Sequence, residues 1–229
     1  MKAPNFLRHS AWIATADFID TFHIIGCGAV GSNLALMLAK MGAVDFVLWD
    51  SDEVEAHNLP NQAYMPQHID MKKVDALEAV LKEFNPAIQV TKMDTFFTEE
   101  HKDSIQGTVV IATDSMKSRK TIGEVFTLNH RISHVFEIRL GFDAGEFNVI
   151  DNMSINDCNR WKAGLMDDKD VPEGPCNRRI CTTLVNLVSS YAVHTICAKY
   201  AAQSTNDIWE YDRTTKIFLL PTLSVYKMK

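Results

Sequence analysis

The sequence has little of what a zinc site or a disulfide framework requires. Only five cysteines occur among 229 residues, and no two of them form a Cys-x-x-Cys pair. Cys176 and Cys181 are separated by four residues, and no second pair exists to complete four thiolate ligands, so no zinc is expected. The odd number of cysteines favours free thiols over paired ones.

Long apolar runs and a positive net charge are also absent. No stretch approaches the roughly 18 apolar residues of a membrane span, and the first residues lack the apolar core of a secretory signal. We therefore expect a cytoplasmic protein with no membrane partner. The net charge is −6, and the basic residues are dispersed. Because surfaces that bind nucleic acid carry a basic patch, nucleic acid is not expected as a partner.

A glycine-rich turn is the most informative feature that is present. The apolar stretch 22–25 predicts a buried strand, and it leads into Gly26-Cys-Gly28-Ala29-Val30-Gly31, which opens a helical pattern. In such a turn the first glycine permits the bend, the second lets phosphate approach the backbone, and the third lets the helix pack on the strand. The free N–H groups at the helix start then face the phosphates.

A second predicted strand, 45–49, ends at Asp50, where a carboxylate can accept hydrogen bonds from ribose hydroxyls. This strand, helix and strand predict a nucleotide-binding unit. The pattern alone fits NAD, flavin or ATP, and a glycine turn used only for packing is the structural alternative.

The residues that follow favour ATP. Asn58 and Gln62 lie just beyond the ribose acid, Lys73 opens the next helix, and Asp114 follows the apolar strand 108–112. ATP with magnesium needs a carboxylate ligand and a cation near the phosphates, whereas an NAD site has little use for either.

The order of the predicted elements indicates an α/β fold. We expect a Rossmann-like, doubly wound and mostly parallel sheet, extended by antiparallel strands at 133–139 and 145–150 and by a C-terminal hairpin at 205–222. Residues 151–181 are polar and turn-rich, and they predict an irregular, mobile crossover. The chain is expected to form a single domain over 1–229. The predicted helices are 5–15, 30–41, 70–84, 99–104, 115–129 and 182–200, and the further strand is 88–92.

At this point the chain resembles the ThiF, MoeB and HesA family of ubiquitin-activating-enzyme-like adenylyltransferases, in the compact bacterial or phage form. The resemblance covers most of residues 22–150 and, more weakly, 175–200. Besides the glycine turn, the family pattern matches at Asp50, Asp52, Val54, Asn58, Leu59, Gln62, Lys73, Thr113, Asp114 and Arg119.

The resemblance implies a reaction and a set of roles. Asp50 would bind ribose, Asn58 and Lys73 would contact phosphates, and Asp114 would hold magnesium. Asp52, Gln62, Thr113 and Arg119 would complete the nucleotide site with the glycine turn and its Ala29 and Val30. The reaction implied is adenylation of a carboxylate with release of pyrophosphate. The carboxylate would belong to a small ubiquitin-like or sulfur-carrier protein, a peptide or a small molecule, and the enzyme would be a homodimer.

One position departs from the family pattern. Many members carry an arginine immediately before the glutamine, and this chain has Asn61, which supplies no charge. Arg8 resembles in position an N-terminal arginine that some relatives lend across a dimer interface. The departure keeps open a non-catalytic, nucleotide-binding partner subunit, and an NAD-dependent oxidoreductase is the remaining alternative.

Cys176 is the thiol with a possible chemical role. It follows a turn-rich loop and precedes Arg178, Arg179 and a predicted helix, an environment that lowers a thiol pKa and favours the thiolate. An acyl acceptor forming a thioester is one hypothesis, and a small residue in a turn is the other.

Overall fold

The computed structural model describes residues 3–141, 144–167, 182–205, 216–219 and 224–227. Five α-helices and eight strands occur in these ranges. The helices are α1 (Ala29–Met41), α2 (Lys73–Phe84), α3 (Met116–Phe126), α4 (Ile155–Ala163) and α5 (Thr182–Thr205). The strands are β1 (Phe22–Ile25), β2 (Asp45–Trp49), β3 (Gln89–Met93), β4 (Gly107–Ile111), β5 (Ile132–Leu140), β6 (Ala144–Ile150), β7 (Lys216–Leu219) and β8 (Ser224–Lys227).

The described strands form one mixed sheet in the order β3-β2-β1-β4-β5-β6-β7-β8. The first five in this order pair in parallel, and β5 to β8 pair antiparallel. The predicted doubly wound sheet with an antiparallel extension is thus confirmed. Strand order reverses between β1 and β4, and in open α/β sheets ligands bind outside the carboxyl ends of the strands at such a point.

Each face of the sheet is covered by its own helices. Ile24 packs in the core with residues of α1, α2 and α5, whereas the next residue, Ile25, packs on the other face with residues of α3 and α4. Successive strand residues point to opposite faces, so β1, in which all four residues are buried, is mostly apolar; its one polar residue, His23, accepts the Trp49 Nε1–H at 3.2 Å. The covered sheet holds the carboxyl ends of β1, β2 and β4 in fixed positions.

Two predicted segments differ from the structure. The helix expected at 5–15 does not form; turns occupy 7–12, and a short 3-10 helix follows at Thr15–Asp17. Ile13 is the one buried residue in that segment, so a helix there would have no apolar stripe to bury. Conversely, part of the crossover predicted as irregular forms α4. Ser154 accepts the Asp157 N–H at 3.3 Å to begin that helix, and Cys158 and Trp161 are buried along it.

The predicted C-terminal hairpin at 205–222 lies only partly within the described residues. The expected first arm, 207–211, lies outside the described residues. The expected second arm contains β7, which pairs with β6 on one side and with β8 on the other. These strands therefore continue the main sheet.

No helix in the described ranges is long and apolar enough to cross a membrane.

Candidate functional site

The three glycines of the turn have three different environments. Gly26 has φ +96°, and a Cβ there would lie 2.7 Å from the Ala112 carbonyl oxygen. A Cβ on Gly31 would lie 1.8 Å from the Gly26 carbonyl oxygen, whereas a Cβ on Gly28 would meet no atom within 4 Å. The first and third glycines are required by the bend and by helix packing. Gly28 instead faces open space at the start of α1.

Contacts from two other segments fix this turn. Gly26 donates its N–H to the Trp49 carbonyl at 2.9 Å, and Cys27 donates its N–H to Asp50 Oδ2 at 2.7 Å. The Tyr64 hydroxyl donates to the Cys27 carbonyl at 2.7 Å. The turn is thereby attached to the end of β2 and to the loop 58–64 that follows it, which is called the amide-rich loop below.

Two residues of α1 that the sequence analysis did not select attach the amide-rich loop to the helix. Asn33 donates from Nδ2 to the carbonyl oxygens of Ala29, at 2.7 Å, and of Asn61, at 2.8 Å. Ser32 Oγ accepts the Ala63 N–H at 3.0 Å. Ser32 and Asn33 follow Gly31 directly, so their place one turn into the helix could have signalled this role. Val30, within the glycine-rich turn, is buried in the core.

A lysine and two aspartates lie close together beside the glycine turn. Lys73 Nζ lies 2.7 Å from Asp52 Oδ2 and 3.9 Å from Asp50 Oδ1, and the side chains of Lys73 and Asp50 are each 10% exposed. Burial raises the pKa of Asp50, although Lys73 and the N–H groups of Asp52 and Cys27 oppose the shift. Burial lowers the pKa of Lys73, but attraction by Asp50 and the bond to Asp52 outweigh it, so the pKa lies above its ordinary value. Lys73 is therefore a cation at neutral pH.

The amide side chains of the loop are used in different ways. Asn58 Oδ1 accepts the Glu55 N–H at 2.9 Å, and its carbonyl accepts the Gln62 N–H at 3.0 Å. The Thr182 hydroxyl lies 2.7 Å from both Asn61 Oδ1 and the Pro60 carbonyl oxygen and donates to this pair of acceptors, which connects the loop to the start of α5. Gln62 Oε1 is buried with no hydrogen-bond partner in the described part of the chain.

Thr113 and Asp114 follow the end of β4. This strand pairs in parallel with β1, the strand that leads into the glycine turn. Thr113 Oγ1 is a second buried atom without a partner among the described residues. Asp114 is exposed and forms no hydrogen bond or ion pair within the described ranges, although it contributes to the field at Lys73. Among the described residues, the segments that follow β2 and β4 therefore carry one carboxylate without a hydrogen bond or ion pair, on Asp114, and two buried polar atoms without partners, on Gln62 and Thr113.

Arg119 and Arg8, which were also predicted for the site, have different surroundings. Arg119 is 3% exposed and directs its guanidinium to Glu137 and to the Thr113 and Ile138 carbonyls. Arg8 is exposed in a segment whose Phe6 contacts Phe84, at the end of α2 opposite to Lys73. Cys176 lies outside the described residues.

The arrangement suits magnesium with a nucleotide better than a metal held by protein alone. No group of three or more potential metal ligands occurs in the described part of the chain. Magnesium in nucleotide sites takes one or two carboxylates, and phosphates and waters supply its other ligands. The free carboxylate of Asp114 meets that requirement.

The sequence pattern of the ThiF family matches residues 20–227, nearly the whole chain. The chain belongs to the ThiF family. The resemblance inferred from the glycine turn and the residues after it is thereby confirmed.

Curated members of the ThiF family are similar over part of their length. The sulfur carrier protein ThiS adenylyltransferase of Escherichia coli is 36% identical over 135 residues, which are 53% of this chain and 54% of that protein. The ubiquitin-like modifier-activating enzyme 5 of Caenorhabditis elegans is 35% identical over 85 residues, which are 34% of this chain and 20% of that protein. The matched part thus spans about half or less of these relatives.

Solved structures share the fold over almost the whole chain. The E. coli MccB structure with ATP aligns with a TM-score of 0.71 at 13% identity, covering 98% of this chain and 70% of MccB. The PaaA structure aligns with a TM-score of 0.74 at 14% identity, covering 94% of this chain and 65% of PaaA. At such identities the likeness concerns the fold.

Proposed function

We propose that this protein is an ATP-dependent adenylyltransferase that activates a carboxylate and releases pyrophosphate. The observation that carries the proposal is the open space at Gly28, in a turn whose Cys27 N–H is bound by Asp50, the carboxylate that lies 3.9 Å from the buried cation of Lys73. Membership of the ThiF family and similarity to the E. coli ThiS adenylyltransferase support the same reaction.

In this proposal the glycine turn and β2 hold the nucleotide. The phosphates approach the backbone at Gly28, where no side chain intervenes, and the N–H groups at the start of α1 face them. Asp50 accepts hydrogen bonds from ribose hydroxyls. Its two oxygens already accept N–H groups from Cys27 and Asp52, which orients the carboxylate without using all its lone pairs.

The chain's charged residues serve the phosphoryl chemistry. Negative charge builds on the α-phosphate and on the departing pyrophosphate, so the catalyst supplies cations and alignment. Lys73 neutralises phosphate charge by shifting from Asp52, and Asn58 donates from its free amide nitrogen. Asp114 holds magnesium, which neutralises phosphate charge when bound. The substrate carboxylate is itself the nucleophile, so no protein nucleophile is needed in this step.

The acceptor belongs to one of three classes. The E. coli ThiS adenylyltransferase is named for a sulfur carrier protein, and the modifier-activating enzymes for ubiquitin-like proteins, so the C-terminal carboxylate of a small protein is the favoured class. A peptide or a small-molecule carboxylate is the alternative. A homodimer would let Arg8 of one protomer reach the site of the other, and Cys176 would be available as an acyl acceptor.

Calorimetry of the purified protein with ATP and magnesium, with NAD as competing titrant, tests the nucleotide. We expect ATP to bind more tightly with magnesium than without it. Binding of NAD, or of neither ligand, would overturn the adenylation mechanism. Exchange of labelled pyrophosphate into ATP, assayed with E. coli ThiS and with peptides bearing a free C-terminus, then tests the reaction and the acceptor class.

A non-catalytic nucleotide-binding subunit is the second candidate, and Asn61 is the observation that favours it. The side chain is neutral and its Oδ1 is engaged by Thr182, so this position adds no charge beside the phosphates. Such a subunit would bind ATP with magnesium yet show no pyrophosphate exchange with any acceptor.

Asn61→Arg separates the two candidates. If a missing cation limits the reaction, the variant should bind ATP about tenfold more tightly, equivalent to about 1.4 kcal/mol, and raise any pyrophosphate exchange. Adenosine affinity, measured by the same calorimetry, should not change because adenosine carries no phosphate. Weaker ATP binding would instead show that the bond between Asn61 and Thr182 is what the site requires.

A further inference from the structure

The least exposed charged residue among the described ones is Glu137, a β5 residue that the proposed reaction does not use. It is 0% exposed, and three donors surround its carboxylate. Oε1 accepts from Arg119 and from Arg139 Nε, the latter at 2.6 Å, and Oε2 accepts from Asn148 Nδ2 at 2.7 Å. A buried carboxylate is costly unless paired and fully hydrogen-bonded, as it is here.

Arg119 connects this carboxylate to the segment that carries Asp114. Its NH1 donates to Glu137, and its NH2 donates to the carbonyl of Thr113, the residue before Asp114. NH2 also donates to the Ile138 carbonyl at 3.0 Å, which holds the guanidinium against β5. Asp114 itself makes no hydrogen bond within the described ranges, so its position depends on the backbone on either side of it.

Arg139 explains why a carboxylate, and not merely a polar group, is needed. Its guanidinium contacts Glu137, donates to the Gly164 carbonyl at 3.0 Å, just after α4, and lies 3.4 Å from Oε2 of the partly exposed Glu146. Among the described residues, Glu137 is the one carboxylate that contacts both arginine cations. Without that negative charge they would repel each other, and Arg119 could turn away from the Thr113 carbonyl.

We propose that Glu137 is a positioning residue that, through Arg119, holds the Thr113–Asp114 segment in the geometry for the magnesium–nucleotide complex. This inference rests on the proposed function. It assigns Arg119 to the support of the segment, where the sequence pattern predicted a nucleotide contact.

The test compares Glu137→Gln with the original protein in three calorimetric titrations, which use ATP with magnesium, ATP without magnesium, and AMP without metal. The substitution keeps the shape of the side chain and removes its charge. Magnesium should tighten ATP binding in the original protein, and this gain should fall about tenfold in the variant, the order of one charge-assisted hydrogen bond. Binding of AMP without metal should hardly change, because it depends on the glycine turn and Asp50. Mn²⁺ titration of the ATP complex, followed by EPR, should show the same loss directly at the metal.

Matched variants distinguish a change in the position of the Thr113–Asp114 segment from a general destabilisation of the fold. Tyr200→Phe removes a buried hydroxyl bonded to Thr108 and Asp20 at the other end of the sheet, and it should leave the magnesium gain intact. Arg119→Lys keeps the charge but cannot bridge a carboxylate and two carbonyls, so it should reproduce the loss and serves if Glu137→Gln fails to fold. Glu137→Asp should restore part of the gain.

Three outcomes decide the matter. An unchanged magnesium gain in Glu137→Gln and Arg119→Lys would overturn the inference, as would equal losses of ATP and AMP affinity. The absence of a magnesium effect in the original protein would overturn the proposed function instead.

Discussion

Asp114→Ala should abolish the magnesium dependence of ATP binding while leaving the melting temperature almost unchanged. Asp114 is exposed and unpaired within the described chain, so its removal breaks no contact that supports the fold. Loss of a group that stabilises charge on a transferring phosphoryl typically costs about 10²–10³-fold in rate, and we expect a reduction of that order in pyrophosphate exchange. Calorimetry with and without magnesium and a thermal melt measure the two effects.

Asp103→Ala is the matched control for this substitution. Asp103 is a fully exposed aspartate with one distant ion-pair contact, to Arg131 at 4.0 Å. Its variant should bind magnesium–ATP like the original protein. Retention of the magnesium effect in Asp114→Ala would remove this carboxylate from the site.

Gly31→Ala should destabilise the protein strongly, against the usual effect of this substitution within a helix. Alanine ordinarily gains about 1 kcal/mol over glycine in a helix interior. Here the new Cβ would lie 1.8 Å from the Gly26 carbonyl oxygen and 3.1 Å from Ile24 Cγ2. We expect a net loss of about 3 kcal/mol, which lowers the melting temperature by roughly 6–12 °C, because α1 must move off β1.

Gly28→Ala, three residues earlier, provides the control. Its Cβ would meet no atom within 4 Å and its φ is −78°, so the protein should remain folded with a much smaller change in melting temperature. ATP affinity should nevertheless fall, since the methyl group would occupy the space proposed for phosphate. A melting temperature lowered as much in Gly28→Ala as in Gly31→Ala would contradict the distinction between a packing glycine and a ligand-facing glycine.

The sequence by itself determined the nucleotide-binding half of the fold. Strand, glycine turn, helix and acid-terminated strand are contiguous between residues 22 and 50, and each follows from local periodicity and backbone freedom. The ThiF resemblance rested on this pattern together with the matching residues that follow it, from Asp52 to Arg119. The roles of Lys73, Asp114 and Asn61 within the site stay predictions, which the experiments above test.

Only the tertiary structure decided how the site is supported. Arg119 matched a motif position, but its pairing with Glu137 joins a helix residue to a strand residue 18 positions later in the chain. Tyr64 reaches the glycine turn from 37 residues away, and Asn33 reaches Asn61 across 28. Helix α4 formed in a segment rich in turn residues because Cys158 and Trp161 could be buried against the sheet. Local propensity does not predict which distant groups come into contact, because burial and hydrogen bonding between them arise only once the sheet has assembled.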